Sequence, residues 1–230
     1  LKLNIDNIHN VYFIGIGGIG MSAIANYFKS NGKNVGGFDK TPTEITTNLK
    51  KMGIHIHFED AVDLIPNEFK NKSNTIVIYT PAVPKNHAEL NYFINEDFKV
   101  VKRSEILGEI TKNTFCFAVA GTHGKTTTST ILGHVLKEAG TNATSFLGGI
   151  SENYNSNLIL GGSEISVVEA DEFDRSFLTL HPDIAIVTSM DADHLDIYGD
   201  KNHIEESFRL YASQVKRGGK LIFKYNLPIQ

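Results

Sequence analysis

Gly121-Thr122-His123-Gly124-Lys125-Thr126-Thr127-Thr128 sets two glycines around a hydroxyl and a histidine, directly before Lys-Thr. The apolar run 115–120 before it reads as a buried strand, and 129–139 after it reads as a helix ended by Gly140. Strand, glycine loop, Lys-Thr and helix form the arrangement that holds nucleoside triphosphates. Backbone N–H groups and the helix N-terminus face the phosphates, the lysine neutralises their charge, and the following hydroxyl ligates Mg²⁺. Gly121, Thr122, His123, Gly124, Lys125, Thr126 and Thr127 are therefore candidates for binding ATP or GTP, with Thr126 also a candidate metal ligand. His123 is equally a residue that positions the turn. The general phosphate-loop pattern places its first glycine where Val119 stands, so this loop is short, G-T-x-G-K-T.

A second glycine group lies near the start of the chain. Gly15, Gly17 and Gly20, with Gly18 between them, satisfy G-x-G-x-x-G between strand 11–14 and a helix from Met21. Such glycines serve a tight turn, close backbone approach to a diphosphate, and close helix–strand packing. Asp39 ends the next strand, where a carboxylate can accept bonds from a ribose or base. The pattern alone also suits a purely structural turn or a nicotinamide cofactor in an NAD-dependent oxidoreductase. A separate triphosphate loop downstream weighs against the dehydrogenase, which has no need of one.

Two acidic segments follow the triphosphate loop. Strand 165–168 delivers Glu169-Ala170-Asp171-Glu172-Phe173-Asp174, the expected source of a Mg²⁺ ligand, although spacing does not choose among the four carboxylates. Strand 184–187 leads to Ser189-Met190-Asp191-Ala192-Asp193-His194-Leu195-Asp196. His194 among these aspartates reads as a metal-side histidine or as a surface histidine paired with them.

The elements that must position these groups alternate along the chain. Strands are expected at 11–14, 34–38, 54–58, 75–79 and 99–101, with helices at 21–30 and 43–52. A short helix at 104–110 leads into strands at 115–120, 144–147, 158–160, 165–168, 184–187 and 221–223. Strand–helix alternation with Gly-punctuated turns predicts an α/β fold of two tandem units. The first, 1–112, is a Rossmann-like parallel sheet; the second, 113–230, is a P-loop ATPase-type parallel sheet. Net charge is −4 over 230 residues, which offers no basic face to nucleic acid or an anionic membrane. The lone Cys116 falls in a buried strand, where packing is its expected role. Without a signal-like start or an apolar run of the ~20 residues a membrane span requires, a cytoplasmic protein with no membrane insertion is expected. Lys40, Lys102 and Arg103 could help hold a sugar nucleotide but read first as solvated surface charge, His9, His55, His57, His87, His134, His181 and His203 read as structural or exposed, and Arg175 has no assigned role.

The short G-T-x-G-K-T loop resembles that of the Mur ligases, ATP-dependent enzymes of bacterial cell-wall synthesis that join a carboxylate to an amine. Gly15–Met21 is similar to the G-I-G-G-x-G-M signature of the family's alanine-adding branch, and Thr80-Pro81-Ala82-Val83 is similar to its S-x-A-[IV] segment. The resemblance implies that the first unit holds UDP-N-acetylmuramate through Gly15, Gly17, Gly18, Gly20, Asp39, Thr80 and Ala82. It implies further that Lys125 binds the β/γ oxygens of ATP and that L-alanine supplies the amine. Glu169-Ala170-Asp171-Glu172-Phe173-Asp174 resembles the family's E-A-D-E-x-D, whose first Glu is a Mg²⁺ ligand, which singles out Glu169. The segment at 189–196 resembles N-x-x-x-D-H-x-D, which implies a catalytic and second-metal role for His194, with Ser189 in place of the usual Asn. A sibling that attaches a murein peptide shares the phosphate loop and the acidic segment. In the family a third domain supplies much of the amino-acid site. The 230-residue chain is accordingly expected to be truncated within the ATPase unit and inactive alone, with uridine-nucleotide binding retained and ATP binding weakened or lost.

Overall fold

The computed structural model describes residues 8–191 and 201–228, which divide along the chain between Ile106 and Leu107 into two compact units. In the first, β1 (Asn10–Ile14), β2 (Asn34–Phe38), β3 (His55–His57), β4 (Thr75–Tyr79) and β5 (Lys99–Lys102) form an all-parallel sheet in the order β3-β2-β1-β4-β5. Every residue of β1 is buried, as an apolar run without alternation requires at the centre of a sheet covered on both faces. The strand order reverses between β1 and β4, which opens a crevice at their C-terminal ends. Into that crevice run the glycine loop after β1 and Thr80 after β4. Three helices flank the sheet: α1 (Ile19–Ser30), α2 (Glu44–Lys51) and α3 (Ala88–Asn95). A reciprocal pair of bonds starts α2, from Thr46 N–H to the Thr43 hydroxyl (3.2 Å) and from Thr43 N–H to that of Thr46 (2.8 Å). Helix α4 (Arg103–Lys112) spans the division between units, and the boundary expected at Lys112 is its last residue.

The second unit is a six-stranded sheet, ordered β11-β10-β6-β9-β7-β8. Its strands are β6 (Phe115–Ala120), β7 (Ala143–Ser151), β8 (Ser156–Ile159), β9 (Ile165–Glu169), β10 (Ile184–Val187) and β11 (Lys220–Phe223). All pairings are parallel except β7 with β8. The connection 152–155 is too short for a crossover, so these two form a hairpin, with Asn155 at φ 46° in its turn. Helix α5 (Lys125–Glu138) starts at Lys125, earlier than its apolar pattern suggested, because Gly124 (φ 80°) turns the chain directly into it. Helix α6 (Lys201–Ser213), which the sequence reading did not mark, buries Ile204, Phe208 and Tyr211 at helical spacing. Cys116 is fully buried in β6, and burial pushes its thiol up to about 12.

A buried polar chain crosses the first unit. The Tyr12 hydroxyl lies 2.8 Å from His57 Nε2 and donates to the Glu89 carboxylate at 2.7 Å. His57 Nδ1 faces the Glu59 carbonyl at 2.9 Å, an acceptor only, so Nδ1 carries a proton. The single Tyr12 proton serves Glu89 or a neutral His57, not both. When it serves His57, Glu89 must itself be protonated. Burial favours that neutral arrangement: it raises Glu89 to about 7 and lowers His57 and His87. Raised from the usual 4.5, Glu89 supports folding fully below pH 4.5 and loses that contribution as pH rises through 7. The lowered histidines act in the opposite sense, supporting folding above pH 6.5 and ceasing to as pH falls below it. Glu89→Gln keeps the chain bonded, since its amide can donate to Tyr12 and accept from Ala61 N–H. Thermal melting should show this variant gaining on the order of 5 °C at pH 8 and nothing at pH 4, below the unfolded value, with a partial gain between. An equal gain at both values would mean that Glu89 does not titrate in this range.

Candidate functional site

The phosphate loop follows β6, the strand flanked by β9 and β10. Gly121 has φ 137°, and a Cβ there would collide with the Thr188 hydroxyl, so no other residue fits. Lys125, Thr126 and Thr127 occupy the first turn of α5, whose first intrahelical bond is Thr128 N–H to Gly124 C=O (3.0 Å). The N–H groups of that turn therefore have no carbonyl of their own helix to meet, and they carry the positive end of its dipole. Lys125 Nζ donates to the Gly121 carbonyl at 2.6 Å and to Glu172 Oε1 at 3.0 Å, with Oε2 2.9 Å away in the same ion pair, which spans its ammonium across the loop. Glu172 is almost wholly buried, and the ion pair compensates its desolvation.

Glu169 ends β9 on the other side of Thr126. Its carboxylate accepts from the Thr126 hydroxyl (3.2 Å), the Ser129 hydroxyl (3.1 Å) and Gly148 N–H (2.7 Å). A Cβ on Gly148 would overlap this carboxylate, so glycine is what lets it approach. Sequence spacing left four carboxylates open; the fold sets Glu169 against Thr126 and Glu172 against Lys125. The Asp174 side chain and His194 lie outside the described residues. Among those described, no group of three His, Cys, Asp or Glu side chains gathers as a metal cluster. The Thr126–Glu169 pair nevertheless suits Mg²⁺: two hard oxygens 3.2 Å apart are close to the ~3.0 Å that separates neighbouring ligands of an octahedral Mg²⁺. Such an ion takes its remaining ligands from phosphates and water.

The third wall of the loop comes from the chain after β10. Thr188 Oγ1 donates to the His123 carbonyl at 2.5 Å, and the Ser189 hydroxyl lies 2.7 Å from His123 N and 2.9 Å from Thr122 Oγ1. Asp191 N–H donates to Thr122 Oγ1 at 3.0 Å. The His123 ring is exposed, with Nε2 3.8 Å from Asp191. Neither Thr188, Ser129 nor Gly148 was marked from the sequence, and Ser189 was noted only as a departure from Asn. They are single small residues far along the chain from the loop they hold, and no local pattern announces them.

In the first unit the glycine loop is braced by β2. Gly15 and Ile16 N–H donate to the Phe38 carbonyl (2.8 and 3.0 Å), and Gly17 N–H donates to Asp39 at 2.7 Å. The other Asp39 oxygen accepts from Thr41 N–H at 3.1 Å, so this carboxylate is bonded to its own loop. The Thr80 methyl packs beside Gly15, while Ala82 is exposed in the turn closed by Val83 N–H to Thr80 C=O (3.1 Å). Gly18 is the N-cap of α1, whose first turn holds no acidic residue. The Arg103 guanidinium lies where a side chain on Gly20 would sit. Read as surface charge from the sequence, Arg103 in fact packs against the glycine loop.

Residues 10–114 match the Mur ligase family catalytic domain and residues 119–229 the Mur ligase middle domain. The chain belongs to the Mur ligase family. It is 62% identical over 228 residues to UDP-N-acetylmuramate--L-alanine ligase of Flavobacterium psychrophilum, covering 99% of this chain and 51% of that protein. To the protein of the same name from Porphyromonas gingivalis it is 54% identical over 220 residues, covering 95% and 48%. The chain thus spans about half the length of the curated relatives it matches. The solved UDP-N-acetylmuramate-alanine ligase of Thermotoga maritima superposes with TM-score 0.83 at 31% identity, over 96% of this chain and 50% of that one. The UDP-N-acetylmuramate:L-alanyl-gamma-D-glutamyl-meso-diaminopimelate ligase from Neisseria meningitides gives TM-score 0.86 at 25% identity, over 96% and 73%.

Gly148→Ala should weaken binding of Mg²⁺-ATP on the order of tenfold, the scale of one charge-assisted hydrogen bond, because the methyl displaces Glu169. Calorimetric titration of the full-length protein with Mg²⁺-ATP checks this. Affinity equal to wild type would show that the position of Glu169 does not matter to the nucleotide.

Proposed function

We propose that the chain carries the sugar-nucleotide and ATP sites of a ligase that joins L-alanine to the lactyl carboxylate of UDP-N-acetylmuramate, a cytoplasmic step in making peptidoglycan precursor. The observation that carries this reading is the convergence of Lys125, Thr126 and Glu169 on one loop of a Mur ligase middle domain. The high identity to relatives bearing the alanine-ligase name favours alanine over a murein peptide as the amine. Gly15, Gly17, Gly18 and Gly20, with Thr80 and Ala82 beside them, would face the diphosphate, and Asp39 would hold the loop that receives it. Among the described residues no helix is long and apolar enough to cross a membrane.

The reaction proceeds in two displacements. A lactyl carboxylate oxygen attacks the γ-phosphorus of ATP, the bond to the bridging oxygen breaks, and ADP leaves. The alanine nitrogen then attacks the resulting acyl carbon, the C–O bond to phosphate breaks, and inorganic phosphate departs as the amine loses a proton. Activation is needed because a carboxylate repels nucleophiles by its charge and has no leaving group; transfer of the phosphoryl group removes both obstacles. Mg²⁺, held by Thr126 and Glu169, would offset phosphate charge. Lys125 would shift its ammonium from Glu172 toward the β/γ oxygens, a short movement that leaves it bonded to Gly121. The amides of Gly124, Lys125 and Thr126 supply fixed dipoles at the same place, so the protein's contribution is positioning and charge neutralisation. His194 is proposed to sit at a second metal or the acyl phosphate, on family resemblance alone.

The decisive assay supplies UDP-N-acetylmuramate, ATP and L-alanine to the full-length protein and follows alanine-dependent ADP release. Lys125→Ala should slow that release on the order of a hundredfold or more; unchanged turnover would refute the loop assignment. Calorimetry with UDP-N-acetylmuramate, UDP and NADH separates the ligase from the oxidoreductase reading. Uridine-nucleotide binding without NADH binding is expected, and the reverse would remove the first-unit assignment.

A further inference from the structure

The hydroxyls of Thr122 and Ser189 lie 2.9 Å apart and share one hydrogen bond. Asp191 N–H donates to Thr122 Oγ1 at 3.0 Å, and His123 N–H donates to Ser189 Oγ at 2.7 Å. The His123 carbonyl lies 3.2 Å from Ser189 Oγ, within reach of the Ser189 proton. Both side chains are buried and neither is charged. Backbone bonds run alongside, from Thr122 N–H to Ser189 C=O (3.2 Å) and from Thr188 N–H to Ala120 C=O (3.0 Å).

The consequence lies in the peptide planes on either side of His123. Each is trans, so its N–H and C=O point in opposite directions. Ser189 and Thr188 draw the His123 carbonyl toward the chain after β10. The N–H of Gly124, in the same peptide plane, must then point away from it. That is the direction an amide needs if it is to meet a phosphate rather than bond within the protein. Ser189 grips the preceding plane as well, through His123 N–H, so the loop cannot flip one plane independently of the other. A change at Ser189 releases the plane before His123 and leaves the plane after it to Thr188 alone.

We propose that Ser189 is a positioning residue of the phosphate loop: it fixes the plane before His123 and, with Thr188, the outward aim of the Gly124 amide, and so sets nucleotide affinity without touching the nucleotide. The proposal rests on the reading of Gly121–Thr127 as an ATP loop. It assigns to a buried hydroxyl, by direct bonds to the loop backbone, a part in binding that acts through neutral groups only.

Calorimetry on the full-length protein tests it, with Mg²⁺-ATP and UDP as separate ligands. Ser189→Ala should weaken ATP about tenfold, the scale of the bonds lost, with UDP affinity unchanged. In turnover the KM for ATP should rise while kcat at saturating ATP holds. Ser189→Thr, which keeps the hydroxyl, should restore ATP affinity. Thr122→Val should cost less than Ser189→Ala, and the double variant should bind ATP no more weakly than Ser189→Ala alone, because the two hydroxyls act as one chain. If Ser189→Ala loses UDP binding too, its fold has failed and Thr122→Val decides, unchanged ATP affinity there overturning the proposal. Ser189→Ala binding ATP as wild type does would overturn it while leaving the ATP loop standing. A wild-type protein that binds no ATP would overturn the loop reading itself, and the role of Ser189 with it.

Discussion

A phosphate loop depends on amides that stay aimed at open space, although nothing in the loop's own backbone prevents them from turning inward to bond with one another. Each buried or half-buried N–H gains by finding a partner, so an outward aim must be imposed from elsewhere. In this chain the imposition comes from strands on either side of β6. The end of β9 brings Glu169 to Thr126, and the chain after β10 brings Thr188 and Ser189 to His123. The order β10-β6-β9 is thus what braces the loop: a sheet arranged otherwise would leave the same residues as an unbraced turn.

The first unit meets the same problem by different means. Its glycine loop is braced by the carbonyl of Phe38 and the carboxylate of Asp39, a fixed acceptor and a charged one. Asp39 is a charged brace on the loop, whereas Ser189 is a neutral one. The difference matters electrostatically. A carboxylate beside a diphosphate opposes binding, and the Arg103 guanidinium packed against Gly20 places a positive charge at the same loop. Beneath it the Tyr12–His57–Glu89 chain shows how a polar group is kept in a sheet core: its members share protons rather than hold separate charges, since an unshared charge there would be far costlier.

Much of this was legible without coordinates. The alternation of strands and helices, the two glycine loops and the acidic segment after an apolar strand all declare themselves within short windows, because each depends on contacts between near neighbours. Helix α6 does not declare itself, because its buried residues are interleaved with Glu205, Glu206 and Arg209, and neither does the hairpin of β7 and β8. Arg103 is equally ambiguous, since a basic residue at the start of a helix looks the same in sequence whether it faces water or a glycine loop.

By itself the sequence determined that strand, Gly-Thr-His-Gly-Lys-Thr and helix would follow one another; that the helix begins at Lys125 itself was set by the turn at Gly124. The sequence determined the same succession around Gly15–Gly20. These are consequences of local spacing, of glycine's freedom at positive φ and of the missing carbonyl partners in a helix's first turn. Only the tertiary structure decided which acidic residue serves which partner: Glu169 goes to Thr126 and Ser129, and Glu172 to Lys125. It alone decided that a glycine at 148 must make room for Glu169 and that Ser189 would hold His123. Those partners lie tens of residues apart, and their meeting is fixed by how burial orders the strands of a whole sheet, a quantity no short window of sequence contains.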